Sequence, residues 1–324
     1  MEILIKEFIE KAKSRNKTVL FPEGEDVRIL NAAYILHREK IARPVIIGKR
    51  QEIESLSEAN HISIQDIELI DPASYPQMEE LVALYCAKRS NIKKAVAEKL
   101  LRRNLIFGGM LLASGRVDTM VAGAASTTAN VIQSAILTAG YSKDITTPSS
   151  FFIMSLPGGK NLFYADCAVN IEPDSRQLAE IAISTANNFE KLMGEQPRVA
   201  FLSFSTKGSA AHPVVEKVQR AVVMAKEINN EILLDGEFQA DTALVEKVAQ
   251  KKLKEFSPVA GNANILIFPD LNSGNISYKL TQYLAGAAAL GPILQGFAKP
   301  VSDLSRGANV DDIIGVTAIT CLLV

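Results

Sequence analysis

Three polar residues lie close together near the end of the chain, between apolar runs at 291–298 and 313–324. The guanidinium of Arg306 could grip a phosphate through two parallel hydrogen bonds. The Ser305 hydroxyl could donate to a developing oxyanion, and the Asp312 carboxylate could accept a proton. A polar segment between two core-forming segments is typical of a loop at a functional site.

The same segment also has a purely structural interpretation. Asn309 is followed three residues later by Asp312, which is the pattern of a helix N-cap with an acidic residue in the first turn. Spacing alone gives the capping and the catalytic interpretations about equal weight. Both interpretations are therefore open at this point.

Two other loops, at 123–128 and 203–209, place small and hydroxyl-bearing residues between a predicted strand and a predicted helix. In an open parallel sheet such loops lie at the carboxyl ends of the strands, where ligands collect. Small side chains would let an anion reach the backbone N–H groups, although helix capping uses the same residues. Neither loop has the spacing of a P-loop, and no dinucleotide-binding fingerprint is present. The candidate ligand-binding residues here are Ser126, Thr127, Thr128, Ser205, Thr206, Lys207 and Gly208.

The composition indicates a large globular protein without a strong global charge. The chain has 324 residues, of which 48% are hydrophobic and 22% charged, and its formal net charge is -1. This length suggests two domains, and the charge leads us to expect neither a nucleic-acid nor a membrane partner. Residues 1–17 resemble a surface helix rather than a signal peptide, and 313–324 is too short to span a bilayer. We therefore expect a cytoplasmic protein.

The cysteines show no metal or redox spacing. Cys86, Cys167 and Cys321 are odd in number and widely spaced, which suits a reducing compartment. We expect Cys167, in an apolar strand, to be a buried packing residue. Asp166 and Glu172 could form a paired-carboxylate site, although solvated acids at strand ends are commoner. We expect no metal and no permanently bound cofactor.

Short β-rich runs alternate with longer helical ones, which predicts parallel α/β sheets. Apolar residues at helical spacing predict a helix over 26–40 and another over 78–101, with a break near Ser90 and Asn91. The run PGGKN at 157–161 separates two apolar runs and predicts an antiparallel hairpin.

The order of these elements also predicts the domains. We expect a discontinuous first α/β domain of residues 1–147 and 301–324, interrupted by a second α/β domain of residues 148–300. The apolar run 313–324 would then be a buried terminal helix of the first domain.

Several motifs together resemble the phosphate acetyltransferase (phosphotransacetylase) family over nearly the whole chain. The C-terminal signature is QGFAKP at 295–300 followed by LSRG at 304–307. The other matching motifs are FPEGED at 21–26, SSFFIM at 149–154, YADCA at 164–168, SFSTKGSA at 203–210, LDGE at 234–237, SPVAG at 257–261 and IFPDL at 267–271. Their order and spacing along one chain make the resemblance specific at the level of the family.

The resemblance implies a fold of two α/β domains like that of isocitrate and isopropylmalate dehydrogenases, with the active site in a cleft between the domains. It implies a homodimer with dimer contacts in the second domain. It also implies an enzyme of acetate metabolism that reversibly transfers an acetyl group between coenzyme A, a substrate, and inorganic phosphate. The transfer would be direct, within a ternary complex and without a metal.

The family's motif roles can be carried over residue by residue. Ser305 would donate to the acyl carbonyl oxygen, Arg306 would bind the phosphoryl group and Asp312 would take the coenzyme A thiol proton. A thiol near pKa 8.5 and a carboxyl near 3.9 differ by about 4–5 units, or roughly 6 kcal/mol against proton transfer. A carboxylate is therefore a good base for a thiol only where a closed site excludes water from it. Otherwise Asp312 would orient the thiol while deprotonation happens elsewhere.

Two positions depart from the family pattern, because Gln133 and Tyr283 stand where the family usually has arginine at the ligand site. A third family arginine aligns with either Lys88 or Arg89. Each lost guanidinium–phosphate contact would cost on the order of 1.5–3 kcal/mol. The cations that could compensate are Lys207, Lys279 and Arg89.

These departures leave alternatives to an acetyltransferase. If the loss of arginine at Gln133 and Tyr283 reshapes the pocket, the protein could be a phosphate acyltransferase for a propionyl or butyryl group. The same loss could instead indicate a non-catalytic coenzyme A-binding regulatory module. A metal-dependent decarboxylating dehydrogenase would share the fold, but the sequence lacks a clustered aspartate triad and a nucleotide fingerprint.

Overall fold

The structure is a computed structural model that describes residues 2–89 and 92–324. The strands are β1 (Thr18–Phe21), β2 (Arg43–Ile47), β3 (Glu68–Ile70), β4 (Thr119–Ala122), β5 (Ser149–Ser155), β6 (Asn161–Ala165), β7 (Arg198–Leu202), β8 (Leu233–Phe238), β9 (Ile265–Ile267), β10 (Ala288–Gln295) and β11 (Val301–Asp303). The helices are α1 (Glu2–Arg15), α2 (Val27–Arg38), α3 (Arg50–Ala59), α4 (Met78–Lys88), α5 (Lys94–Leu100), α6 (Asn104–Ala113), α7 (Thr128–Thr138), α8 (Ser175–Met193), α9 (Pro213–Ile228), α10 (Ala240–Leu244), α11 (Glu246–Lys252), α12 (Leu271–Leu284) and α13 (Val310–Leu322). The helix break predicted near Ser90 and Asn91 falls outside the described residues. Within the described ranges, no helix has both the length and the apolar character needed to cross a membrane.

The chain forms two compact units. Residues 2–142 and 297–324 form one, called the split unit below, and residues 143–296 form the other, called the inserted unit. The two changes of unit were predicted after residues 147 and 300.

The split unit is built on a parallel sheet of five strands in the order β11-β4-β1-β2-β3. The apolar strand β1 is largely buried, as expected for a parallel strand that helices cover on both faces. Helices α1, α2 and α13 contribute to one core cluster that includes Phe21, Ile29, Ile313 and Cys321. The terminal helix predicted in 313–324 is confirmed as α13, whose residues are mostly buried.

The inserted unit contains a mixed sheet of six strands in the order β10-β5-β6-β9-β7-β8. Strands β5 and β6 form the predicted antiparallel hairpin, whereas β6, β9, β7 and β8 run parallel. Cys167 is fully buried in the core beside this sheet. Burial raises the pKa of its thiol well above the ordinary value, so Cys167 is the packing residue that the sequence predicts.

Candidate active site

The segments at 123–128 and 304–309 begin side by side at one edge of the split unit's sheet. Asp303, the last residue of β11, pairs with Ala122, the last residue of β4. The Leu304 N–H donates to the Ala122 carbonyl at 2.7 Å. Because the two strands are parallel neighbours, the loops that follow them leave from the same edge.

The loop at 123–128, called the first loop below, donates four backbone N–H groups to a carboxylate of the chain itself. Glu23 Oε2 accepts hydrogen bonds from Gly123 and Ala124 at 2.8 Å each. Its Oε1 accepts from Ala125 at 3.2 Å and from Ser126 at 2.7 Å. These are the donors that the sequence analysis offered to an external anion, so Glu23 occupies the expected anion position in this structure.

The hydroxyl groups of the same loop have local partners. Thr127 is the N-cap of α7, and its Oγ1 accepts from the Asn130 N–H at 3.3 Å, which confirms the capping interpretation for this residue. Thr128 Oγ1 donates to Asp303 Oδ2 at 2.5 Å. Substrate binding by Ser126, Thr127 and Thr128 stays a prediction.

Ser305 and Arg306 lie in the turn between β11 and α13, and both are exposed. Ser305 Oγ accepts a hydrogen bond from the Gly307 N–H at 3.2 Å, which leaves the hydroxyl proton available to donate. Within residues 2–89 and 92–324, no acceptor reaches the Arg306 guanidinium. A guanidinium without an internal partner keeps its full capacity to bind an anion.

Asp312 takes part in a complete capping box at the start of α13. Its Oδ2 accepts from the Asn309 N–H at 3.0 Å, and Asn309 Oδ1 accepts from the Asp312 N–H at 2.9 Å. The capping interpretation of this pair is therefore confirmed. The role of Asp312 as a base stays a prediction.

Asp303 is a buried carboxyl group that the sequence analysis did not select. Burial raises its pKa to about 6, helped by the nearby charge of Glu23 and opposed by the hydrogen bond from Thr128. Its Oδ1 is buried and has no hydrogen-bond partner among the described residues. Its position at the carboxyl end of a strand, immediately before the LSRG motif, was the signal that could have found it.

The loop at 203–209 in the inserted unit shows the same arrangement as the first loop. Glu237 Oε1 accepts from Ser205 Oγ and from the Gly208 N–H, each at 2.8 Å. Burial raises the pKa of Glu237, but these hydrogen bonds outweigh burial and lower it overall. A second buried glutamate thus uses donors that the sequence analysis assigned to a ligand.

The other candidates in this loop are also engaged. Lys207 Nζ forms an ion pair with Asp235 at 2.5 Å and donates to the Gly236 carbonyl at 2.8 Å. Thr206 is buried, and its Oγ1 accepts from the Gln239 N–H at 3.0 Å. Ligand binding by Ser205, Thr206, Lys207 and Gly208 stays a prediction, and it would require these groups to exchange partners.

The two departures from the family pattern have different surroundings. Gln133 is exposed on α7 and lines a cavity of about 740 Å³ together with Ser126 and Arg103, a volume typical of small-molecule sites. Arg103 is a cation that the sequence analysis did not consider. Tyr283 lies on α12, 78% exposed, and Lys279 is exposed on the same helix.

The cations near the end of α4 stabilise a helix terminus. Arg89 Nε donates to the Leu137 carbonyl and Nη2 to the Ile136 carbonyl, both at 3.1 Å. Lys88 Nζ donates to the Thr138 carbonyl at 3.2 Å. Both side chains thus satisfy the last carbonyl groups of α7, so Arg89 is not a free substitute for a missing arginine.

The paired acids after β6 are separated in their roles. Asp166 is buried and accepts hydrogen bonds from Ser150 Oγ at 2.6 Å and from the Asn170 N–H at 2.8 Å. Glu172 is exposed. Among the described residues, no group of three or more His, Cys, Asp or Glu side chains is placed to hold a metal ion.

A model of the phosphate acetyl/butaryl transferase family matches residues 3–321. The chain belongs to this family. It is 43% identical to a phosphate acetyltransferase of Thermoanaerobacterium thermosaccharolyticum over 98% of each chain. The structure of a phosphotransacetylase from Streptococcus pyogenes is 38% identical and superimposes with a TM-score of 0.94, covering 99% of this chain and 98% of that one.

A more distant structure identifies the wider fold. A 4-hydroxythreonine-4-phosphate dehydrogenase from Salmonella typhimurium, described as putative, is 12% identical and has a TM-score of 0.58, covering 95% of this chain and 99% of that one. At that identity the likeness concerns the fold alone. The predicted family and the predicted dehydrogenase-like α/β fold are both confirmed.

Proposed function

We propose that the protein is an enzyme that reversibly transfers an acetyl group between coenzyme A and inorganic phosphate. Membership of the phosphate acetyl/butaryl transferase family over residues 3–321 carries this proposal. The exposed side chains of Ser305 and Arg306 support it. A hydroxyl donor and a guanidinium that has no partner among the described residues suit an acyl phosphate.

The reaction proposed is direct transfer within a ternary complex. In the direction of thioester formation, the coenzyme A sulfur attacks the carbonyl carbon of acetyl phosphate, and the bond from that carbon to the phosphate oxygen breaks. Ser305 donates a hydrogen bond to the carbonyl oxygen as negative charge develops there. Arg306 binds the phosphoryl oxygens and stabilises the leaving phosphate.

Asp312 is the proposed acceptor of the thiol proton. Its Oδ2 supports the helix start through Asn309, whereas its Oδ1 has no hydrogen-bond partner within the described part of the chain. An exposed carboxylate is a poor base for a thiol. The proposal therefore requires the bound substrates to exclude water from Asp312.

A longer acyl group is the second candidate substrate, and the cavity beside Gln133 motivates it. Loss of the family arginine at this position removes a cation and leaves space that a propionyl or butyryl chain could use. The remaining predicted binding residues are proposed to contact substrate in either case: Ser126, Thr127, Thr128, Ser205, Thr206, Lys207, Gly208 and Tyr283.

The deciding experiment measures thioester formation from coenzyme A and acetyl, propionyl or butyryl phosphate without added metal. We expect the highest kcat/KM with acetyl phosphate and initial-rate patterns of a ternary complex. A tenfold preference for a longer acyl phosphate, about 1.4 kcal/mol in transition-state binding, would establish the second candidate instead. Folded protein that binds coenzyme A in calorimetry but turns over none of the three would indicate a non-catalytic binding module.

We also propose a homodimer located in the cytoplasm. Light scattering on the purified protein tests the dimer, and a monomeric mass at micromolar concentration contradicts it. Cell fractionation tests the location.

A further inference from the structure

The Arg28 guanidinium connects three distant segments of the split unit. Arg28 lies in the first turn of α2, next to the N-cap Asp26. Its Nε and Nη2 donate to Asp26 Oδ1 and Oδ2 at 3.0 and 2.6 Å. Its Nη2 also donates to the Ala124 carbonyl at 2.9 Å. Its Nη1 donates to the carbonyls of Arg306 and Ala308, each at 2.8 Å.

These contacts use the whole hydrogen-bonding capacity of the side chain. A guanidinium carries five N–H groups, and each of the five bonds above uses one of them. Arg28 is therefore not available to bind a phosphate in this arrangement. Its charge is instead balanced by Asp26, whose two carboxylate oxygens hold the guanidinium plane in one orientation.

The carbonyls that Arg28 holds flank the proposed catalytic pair. Residues 304–309 have no regular secondary structure. Inside this turn the Ser305 carbonyl and hydroxyl accept from the Ala308 and Gly307 N–H groups at 2.8 and 3.2 Å, but these bonds leave the Arg306 and Ala308 carbonyls to other donors. Across residues 2–89 and 92–324, Arg28 is the only side chain that bonds the carbonyls of Arg306 and Ala308. This contact fixes the direction of the Arg306 carbonyl, which belongs to the residue whose side chain is proposed to bind phosphate.

Two residues near the start of α2, Glu23 and Arg28, both bond to the backbone of the loop at 123–128. Glu23 accepts from four of its N–H groups, and Arg28 donates to its Ala124 carbonyl. Arg28 thereby links this loop to the turn that carries Ser305 and Arg306. Reacting groups must be placed to within about 0.5 Å for full activity.

We infer that Arg28 is a positioning residue that sets the geometry of the Ser305–Arg306 turn without touching substrate. The expected effect of Arg28 on turnover rests on the proposed function. Its effect on the turn itself is independent of that function.

The first test is hydrogen exchange at the Gly307 and Ala308 amides in Arg28→Lys. Lysine keeps the charge but cannot donate in five fixed directions. We expect exchange at these amides to accelerate at least tenfold, while exchange in the inserted unit stays unchanged. The control is Arg38→Lys, an exposed arginine at the other end of α2, which should leave both amides unchanged. Unchanged exchange in Arg28→Lys overturns the inference even if the wild type proves inactive.

The second test is kinetic and uses the wild type as the reference for the proposed function. Arg28→Lys should lower kcat about 10- to 100-fold, with KM for both substrates within twofold. Guanidinium ion at tens of millimolar should restore part of the kcat of Arg28→Ala and none of that of Arg306→Gln. A KM rise without a kcat loss would make Arg28 a ligand, and normal kcat in a folded variant would make it a stability residue. Either outcome overturns the inference.

Discussion

Asn309 and Asp312 bond to each other in both directions at the start of α13, with distances of 2.9 and 3.0 Å. The carboxylate proposed to take the thiol proton is thus also a structural group. The two roles predict opposite results for Asp312→Asn. Capping needs only an acceptor oxygen, which asparagine keeps, whereas proton transfer needs a carboxylate.

Asp312→Asn should therefore lower kcat at least 100-fold while coenzyme A binding changes little, because an amide keeps the shape but cannot accept the proton. The loss of stability should be about 1 kcal/mol or less, since the Asn oxygen can still cap. Steady-state kinetics and thermal unfolding measure both effects. The matched control is Asp311→Asn, an exposed neighbour. A destabilised but fully active Asp312→Asn would rule out the catalytic role.

Arg306→Gln should reduce kcat/KM at least 100-fold with an unchanged melting temperature. The guanidinium has no partner within the described residues, so its loss removes a contact to substrate rather than one in the fold. Arg306→Lys keeps a point charge but loses the forked donor geometry of arginine. Its kcat/KM should lie between that of the wild type and that of Arg306→Gln. Near-normal turnover in the glutamine variant would contradict the proposed phosphate contact.

The contribution of Asp303 to the stability of the fold should fall as the pH rises from about 4 to 6. Its pKa is raised from 3.8 to about 6 in the folded protein, so the folded state binds more protons than the unfolded state in that window. The effect on the unfolding free energy is roughly 3 kcal/mol. Asp303→Asn should remove this dependence. The variant should be more stable than the wild type near pH 7, and the difference between them should shrink toward acid pH. A difference independent of pH between 4 and 7 would contradict the raised pKa.

Glu23→Gln should destabilise the split unit by roughly 3 kcal/mol. The substituted amide presents an NH2 group to two of the four N–H donors that the carboxylate now satisfies, and the donors of Gly123 and Ala124 are buried. The control is Glu25→Gln, since Glu25 is exposed two residues away. Equal thermal unfolding midpoints for the two variants would show that Glu23 contributes little.

Local spacing predicted much of the fold and the identity of the family. The alternation of apolar runs indicated the parallel sheets, the PGGKN run indicated the β5–β6 hairpin, and the ordered motifs identified the family. These features depend on residues close in sequence, whose periodicity and turn chemistry can be read directly. The capping pattern of Asn309 and Asp312 belongs to the same class.

The partners of the polar loops were decided by the tertiary structure alone. Glu23 reaches a loop 100 residues away, and Glu237 occupies the corresponding donors in the other unit. Arg28 reaches the Arg306 carbonyl across 278 positions. In the split unit, the sheet order that makes β1, β4 and β11 neighbours brings the Glu23 and Arg28 partners together, and no local pattern encodes it. Small residues and N–H groups after a strand indicate that an anion will bind there, but only the fold determines whether that anion is a substrate or a carboxylate of the chain itself.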